Sequence, residues 1–223
     1  MSAPKIVIGV DEAGRGALAG PLVVAAVAFL REEPCVSATY HGVRGDTVVH
    51  AGDSKSFKSD TQREVLDQAI RQIATAIAIV EKTAAEIDAR LMGAVYPEAI
   101  RGAIARCIEQ LVARGVFKNP REFLVMLDGD TPVPPGMPCE VRPIVEGDKR
   151  VWQIGAASIV AKVTRDARMV ELHEKFPLYD FITNRGYPVP NHKKLLKKHG
   201  PCAVHRGTFA PVFEARGHVP GFE

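Results

Sequence analysis

An α/β sandwich with a mixed central β-sheet flanked by α-helices is the fold class this sequence predicts, and three observations predict it. Short apolar runs at 6–10, 22–29 and 123–127 carry no helical spacing and read as buried strands. Amphipathic stretches of helical period separate the later strands, so strands come first and then alternate with helices, the order of an α/β chain. Two of the strand runs end in acids, Asp11-Glu12 and Asp128, at the sheet edge where α/β proteins usually place ligands.

Taken in order, residues 5–10 and 22–30 form a hairpin-type pair of strands joined by a glycine turn. Residues 31–52 show no period and contain Pro34, Gly42 and Gly45, which predicts an extended loop with a short strand at Thr47-Val48-Val49. Ser59-x-x-Gln62 is a capping box for a helix whose apolar stripe is Val65, Ala69, Ile70 and Ile73. Ala76 to Val80 is a strand, and Thr83-x-x-Glu86 caps a short helix containing Ile87 and Leu91. From Pro97 to Arg114, residues Ile100, Ile104, Ile108, Leu111 and Val112 recur at helical spacing, with Gly115 as C-cap. Phe123 to Leu127 is a strand ending in Asp128, and after the proline-rich turn 132–138 another strand runs from Glu140 to Val145. A helix over 156–174 stops at Pro177, and a short basic helix, Asn191 to His199, closes at Gly200-Pro201. The chain therefore reads as a single domain, 1–223, with a core over about 1–176 and a small helical, basic C-terminal extension over about 177–223.

Composition narrows the function classes. Apolar residues make up 46% and charged residues 25%, as in soluble globular proteins. No apolar run approaches the roughly 20 residues of a membrane span, and the early first strand predicts no signal peptide. Cys35, Cys107, Cys139 and Cys202 are scattered with no C-x-x-C, which predicts reduced thiols in a cytoplasmic protein rather than a zinc or disulfide framework. Residues 149–223 carry 13 Lys+Arg against 6 Asp+Glu, while the remainder carries 16 against 20. An acidic body with a basic C-terminal third suits metal binding in one part and a polyanion grip in the other.

Asp11-Glu12-Ala13-Gly14-Arg15-Gly16 carries the chemistry. Adjacent carboxylates repel unless a cation lies between them, and hard divalent ions prefer oxygen ligands. The glycines allow backbone N–H groups to approach a bulky anion, and Arg15 adds a fork of donors suited to phosphate. Gly14-x-Gly16-x-x-Ala19 also loosely fits a dinucleotide fingerprint, but that motif requires a helix where Pro21 and the strand from Leu22 follow. Asp128 repeats the strand-end logic, with Asp130 as a competing acid. Ser158, Lys162 and Asp166 stand at i, i+4 and i+8 and share a helix face beside an apolar stripe of Ile159, Val163, Ala167 and Val170.

These motifs occur in the order of a known family. Asp-Glu-Ala-Gly-Arg-Gly at 11–16, Asp-Ser-Lys at 53–55, Leu-Asp-Gly at 127–129, Ala-Ser-Ile-Val-Ala-Lys-Val-Thr-Arg-Asp at 157–166, Asn-Arg-Gly-Tyr at 184–187 and His205-Arg206 together resemble ribonuclease HII, the type 2 ribonuclease H. The resemblance spans residues 6 to about 213. It implies a ribonuclease H-like fold and hydrolysis of the RNA strand of RNA·DNA hybrids with two Mg²⁺ or Mn²⁺ ions. It also implies nicking 5′ to single ribonucleotides embedded in duplex DNA. Asp11, Glu12, Asp128 and Asp166 fall on the family's metal-binding, catalytic carboxylates. Gly14, Arg15, Gly16 and Tyr187 fall on the positions that grip the RNA–DNA junction, and Ser54 and Lys55 on positions near the substrate backbone. The family usually follows Gly-Tyr with Gly-Thr, whereas here Pro188-Val189-Pro190 stiffens the turn. His192 opens the basic helix with Lys193, Lys194, Lys197 and Lys198, which form either a phosphate grip or a solvated helix face. Type 3 enzymes usually read Gly-Lys-Gly at the glycine turn, so type 2 is preferred. No sliding-clamp motif follows Pro211, and a monomer is expected. The alternatives are a non-catalytic RNA·DNA-binding module of the same fold or, more remotely, a dinucleotide-binding enzyme.

Overall fold

Gly9, in the middle of the first strand, lies against a helix backbone so closely that a Cβ there would fall 2.1 Å from the carbonyl carbon and oxygen of Gln153. The strand is β1 (Ile6–Ala13) and the helix is α5 (Trp152–Lys175). Only a residue without a side chain allows this approach. Residues 6–29, 37–42, 45–50, 60–115 and 122–216 are described by the computed structural model.

The central sheet has five strands in the order β5-β2-β1-β6-β7, where β2 is Leu22–Phe29, β5 Ala76–Lys82, β6 Phe123–Asp128 and β7 Glu140–Ile144. Strand β1 runs parallel to β6, and β6 parallel to β7, so the predicted α/β class with a mixed sheet holds. The uniformly apolar composition of β2 has its reason in position: flanked on both edges, it is buried at all eight residues. Residues 37–50, predicted as a loop with one short strand, instead contain an antiparallel pair, β3 (Ser37–Gly42) and β4 (Gly45–His50). The alternation there is too polar to mark two strands by hydropathy.

The chain divides into two compact units. The first comprises Met1–Glu12, Val24–Val80 and Pro97–Val163; the second comprises Ala13–Val23, Glu81–Tyr96 and Thr164–Glu223. In the first, helix α3 (Met92–Ala113) contributes Ile100, Ile104, Cys107 and Leu111 to the core, beside Ile8, Val10, Val125 and Leu127 of the sheet. Helix α1 (Asp60–Ile73) adds Leu66 and Ile70, while the Ser59 cap predicted for it lies outside the described residues. Helix α3 starts five residues before Pro97, where the sequence placed its beginning. The proline lacks only an N–H that would have bonded Gly93, one turn into the helix.

In the second unit, Thr83 caps α2 (Ala84–Arg90) through the reciprocal bonds of a capping box, as its spacing predicts. Helix α6 (Phe181–Asn184), α7 (Pro190–His199) and α8 (Ala210–Arg216) follow α5, as expected of a helical C-terminal part. Leu18, Leu196, Val212 and Ala215 form one apolar cluster, and Ala19, Met169, Tyr179 and Phe181 another. The stripe expected on α5 is corrected: Ala167 is exposed, and Met169 lies buried together with the fully buried Arg165.

Substituting Gly9→Ala forces a methyl into the backbone of α5 and is expected to destabilise the protein by about 2 kcal/mol or more. Urea unfolding measures this; a loss below about 0.5 kcal/mol would show that α5 does not sit on β1 in this way.

Candidate active site

The register between β1 and β6 pairs Val10 with Leu127, and its continuation sets Asp11 beside Asp128. Asp11 is almost entirely buried, at 6% exposure, with Glu12 and Asp128 close enough to act on it electrostatically. Ser158, from α5, hydrogen-bonds its carboxylate, and its Oδ1 accepts from the Glu12 backbone N–H at 2.7 Å. Asp128 is half-buried and its Oδ1 accepts from the Asp148 N–H at 3.2 Å, where α4 (Gly147–Arg150) begins. The competing acid, Asp130, is exposed. In the first unit Glu12 and Asp128 thus lie within electrostatic reach of Asp11.

Burial raises the Asp11 pKa well above its ordinary value, Glu12 and Asp128 add repulsion, and the hydrogen bonds from Ser158 and the Glu12 N–H work the other way. A divalent cation would reverse this imbalance, because it favours the ionised carboxylates that burial and crowding oppose. Among the described residues no three His, Cys, Asp or Glu side chains already converge on one metal position. The fit therefore rests on the oxygen donor set and its electrostatic strain. Asp166, the fourth predicted acid, belongs to the second unit, where its Oδ1 lies 3.9 Å from Arg185 Nε.

In the second unit, the glycine turn is held from beneath by arginine. Gly14 has φ +87°, and a Cβ there would lie 2.0 Å from Arg165 Nε. Arg165 donates to the carbonyls of Pro21 at 3.0 Å and Ala19 at 3.2 Å, and its guanidinium lies 5.0 Å from the centroid of the Tyr187 ring. Arg206, also fully buried, donates to the Gly20 and Arg15 carbonyls, and burial followed by Arg165 repulsion pushes its pKa down to about 9. Arg15 itself is exposed, with its guanidinium 4.4 Å over the Tyr96 ring. Gly16 differs from Gly14: among the described residues a Cβ there would meet nothing within 4 Å. The Gly186 carbonyl accepts from Leu18 N–H at 2.7 Å, so the turn bearing Tyr187 is bonded to the loop bearing the glycines.

Sequence reasoning quoted Arg165 and Arg206 only as motif letters and missed their role. A signal existed in Thr-Arg-Asp and His-Arg, but hydropathy places arginine outside a core. His192, expected on a helix face open to phosphate or to solvent, is instead fully buried, while Lys193, Lys194, Lys197 and Lys198 are exposed. Ser54 and Lys55 lie outside the described residues.

Comparison with known proteins gives a concordant result. The family model described as ribonuclease HII matches residues 8–212. The ribonuclease HII of Burkholderia thailandensis is 37% identical over 95% of this chain and 86% of its own. The ribonuclease H2 of Pyrococcus horikoshii OT3 superposes with a TM-score of 0.67 at 25% identity, over 95% of this chain and 97% of its own. The Bst ribonuclease HIII solved in complex with Mn²⁺ shares the fold alone, with a TM-score of 0.64 at 15% identity over 96% of this chain and 70% of its own.

A carboxyl whose folded pKa is raised stabilises the fold at low pH and loses that contribution as pH rises through the folded value. Metal-free Asp11→Asn protein is therefore expected to melt higher than wild type at pH 8, on the order of 3 °C, with the gap shrinking toward pH 4. Thermal melts in chelator across that range check it, and a variant no more stable than wild type at pH 8 would contradict the assigned strain.

Proposed function

We propose, on the premise that the chain belongs to the ribonuclease HII family and is a type 2 ribonuclease H, that it cleaves the RNA strand of RNA·DNA hybrids and nicks 5′ to single ribonucleotides embedded in duplex DNA. The products are a 3′-OH and a 5′-phosphate. The observation that carries this reading is the buried Asp11 carboxylate crowded by Glu12 and Asp128, an arrangement that favours a bound cation.

Asp11, Glu12, Asp128 and Asp166 are the catalytic carboxylates. Two divalent ions, Mg²⁺ or Mn²⁺, bound by them would supply an activated water and stabilise the leaving 3′-oxygen. Asp11 would be central among these ligands, since it has acids on both its own strand and the adjacent one. Ser158 holds the Asp11 carboxylate in place by its hydrogen bond.

Recognition falls to the glycine turn and Tyr187. Among the described residues a Cβ at Gly16 would meet nothing within 4 Å, which leaves room for a ribose to come against the backbone. Backbone groups there contact the 2′-OH, the handle that separates RNA from DNA, and a site built to bond that hydroxyl discriminates strongly against its absence. Arg15, exposed and carried on the same turn, meets the phosphate. Tyr187, with the Arg165 guanidinium beside its ring, stacks on the adjacent deoxyribose. Ser54 and Lys55 approach the substrate backbone, and the exposed lysines of α7 add sequence-independent attraction. The chain acts as a single ribonuclease H-like domain, as a monomer in the cytoplasm. Among the described residues no helix is long and apolar enough to cross a membrane.

Incubation with Mg²⁺ or Mn²⁺ and a duplex bearing one ribonucleotide is expected to give a single 5′ nick. No product with either ion would reject the reading, and binding without cleavage would favour a non-catalytic module. Asp11→Asn and Asp128→Asn are each expected to reduce turnover by about 10³-fold or more while duplex affinity at low salt is kept. Gly16→Ala is expected to leave the melting temperature within about 1 °C yet lower kcat/KM on the single-ribonucleotide duplex by about ten-fold or more. Equal activity in Gly16→Ala would remove the glycine turn from the binding site.

A further inference from the structure

The interior of the second unit contains a chain of hydrogen bonds that the proposed reaction leaves unused. His192 and His205 are both buried, at 0% and 3% exposure, with their Nε2 atoms 3.1 Å apart. His192 Nδ1 lies 2.9 Å from the Tyr187 carbonyl oxygen. At the other end, His205 Nδ1 lies 3.1 Å from both the backbone nitrogen and the Sγ of Cys202.

The partners decide every tautomer. A carbonyl oxygen only accepts, so His192 Nδ1 carries hydrogen and, in the neutral ring, Nε2 is the acceptor. His205 must then donate from its own Nε2, which leaves its Nδ1 to accept from the Cys202 N–H. The order is unidirectional: Cys202 N–H to His205, His205 to His192, His192 to the Tyr187 carbonyl. Both rings remain neutral, because a second proton in the space between the two Nε2 atoms has no acceptor. Burial and then His192 push the His205 pKa down to about 4, and burial lowers that of His192, in keeping with this arrangement.

The surroundings hold the rings rigidly. His205 packs on Tyr179 at 4.7 Å between ring centroids, Phe181 lies 5.6 Å from both histidines, and the Tyr179 hydroxyl donates to the Gly200 carbonyl at 2.7 Å. His205 is also bridged to Ala19 of the loop that bears the glycine turn. The Tyr187 carbonyl meanwhile accepts from the Val189 N–H at 2.8 Å, which closes a tight turn over Pro188. The relay bond from His192 therefore comes to a turn already stiffened by prolines and fixes its height relative to the loop.

We propose that His192 and His205 are positioning residues for junction recognition: through the Tyr187 carbonyl they set the plane on which the Tyr187 ring meets the deoxyribose beside a ribonucleotide. This rests on the role given to Tyr187 under the proposed function. A purely structural pair would serve all substrates equally, whereas this one matters where the ring is needed.

The test compares a duplex with one embedded ribonucleotide against an RNA·DNA hybrid with a long RNA tract, both with Mn²⁺. His192→Phe keeps the ring volume and removes the donor; it is expected to lower kcat/KM on the single-ribonucleotide duplex about ten-fold or more, and on the tract by less than about three-fold. In a Tyr187→Ala background the same substitution is expected to add less than about two-fold, since both act through one ring. His205→Gln, which retains an N–H at the ε position, is expected to stay within about three-fold of wild type on both substrates, whereas His205→Leu follows His192→Phe. The His205 pair decides the question if His192→Phe melts below the assay temperature. Equal losses on the two substrates, or full additivity with Tyr187→Ala, would overturn the proposal. A Tyr187→Ala protein with no substrate preference of its own would overturn it too, and would place the failure in the reading of Tyr187, because the relay is intact in that variant.

Discussion

Strand β1 meets helix α5 backbone to backbone at Gly9, and the geometry of the acidic site follows from that contact. Side chains alternate along a strand, so Asp11 projects from the same face of β1 as Gly9. On α5 the step from Gln153 to Ser158 is little more than one turn, which brings a hydroxyl to the Asp11 carboxylate. A larger residue at position 9 would separate the two elements and leave Asp11 buried with one fewer donor, a costly state for a carboxylate.

The two units use opposite electrostatic solutions. In the first, carboxylates are gathered against their own repulsion, and the fold tolerates it because apolar strands on every side supply the burial that holds them. In the second, two buried guanidiniums donate to backbone carbonyls, whose partial negative charge faces them. The first concentrates negative charge against its own repulsion; the second is a scaffold whose cations are its own.

Much of this was legible beforehand, and the parts that were not share a cause. The strand end at Asp128, the Thr83 capping box and the basic helix closed by Gly200 are local patterns that survive folding, whereas β1 runs past the expected end, through Asp11 and Glu12 to Ala13. Arg165 was passed over and His192 misplaced because their type signals a surface, whereas distant partners, Pro21 and Ala19 for one and His205 for the other, bond them in the interior. Of the pair β3 and β4 only the middle of β4, Thr47-Val48-Val49, was legible, since a strand as polar as Ser37–Gly42 leaves little hydropathy trace. Pro97 misled in the other direction by suggesting a helix start where the helix was already one turn old.

Arg165 and Arg206 hold the segment from Arg15 to Pro21 by its carbonyl oxygens alone. Every amino acid carries that oxygen, so the anchorage is blind to which outward-facing side chains the segment displays. Sequence drift at those positions leaves the loop's trajectory intact. An engineer can exchange them without rebuilding the support underneath.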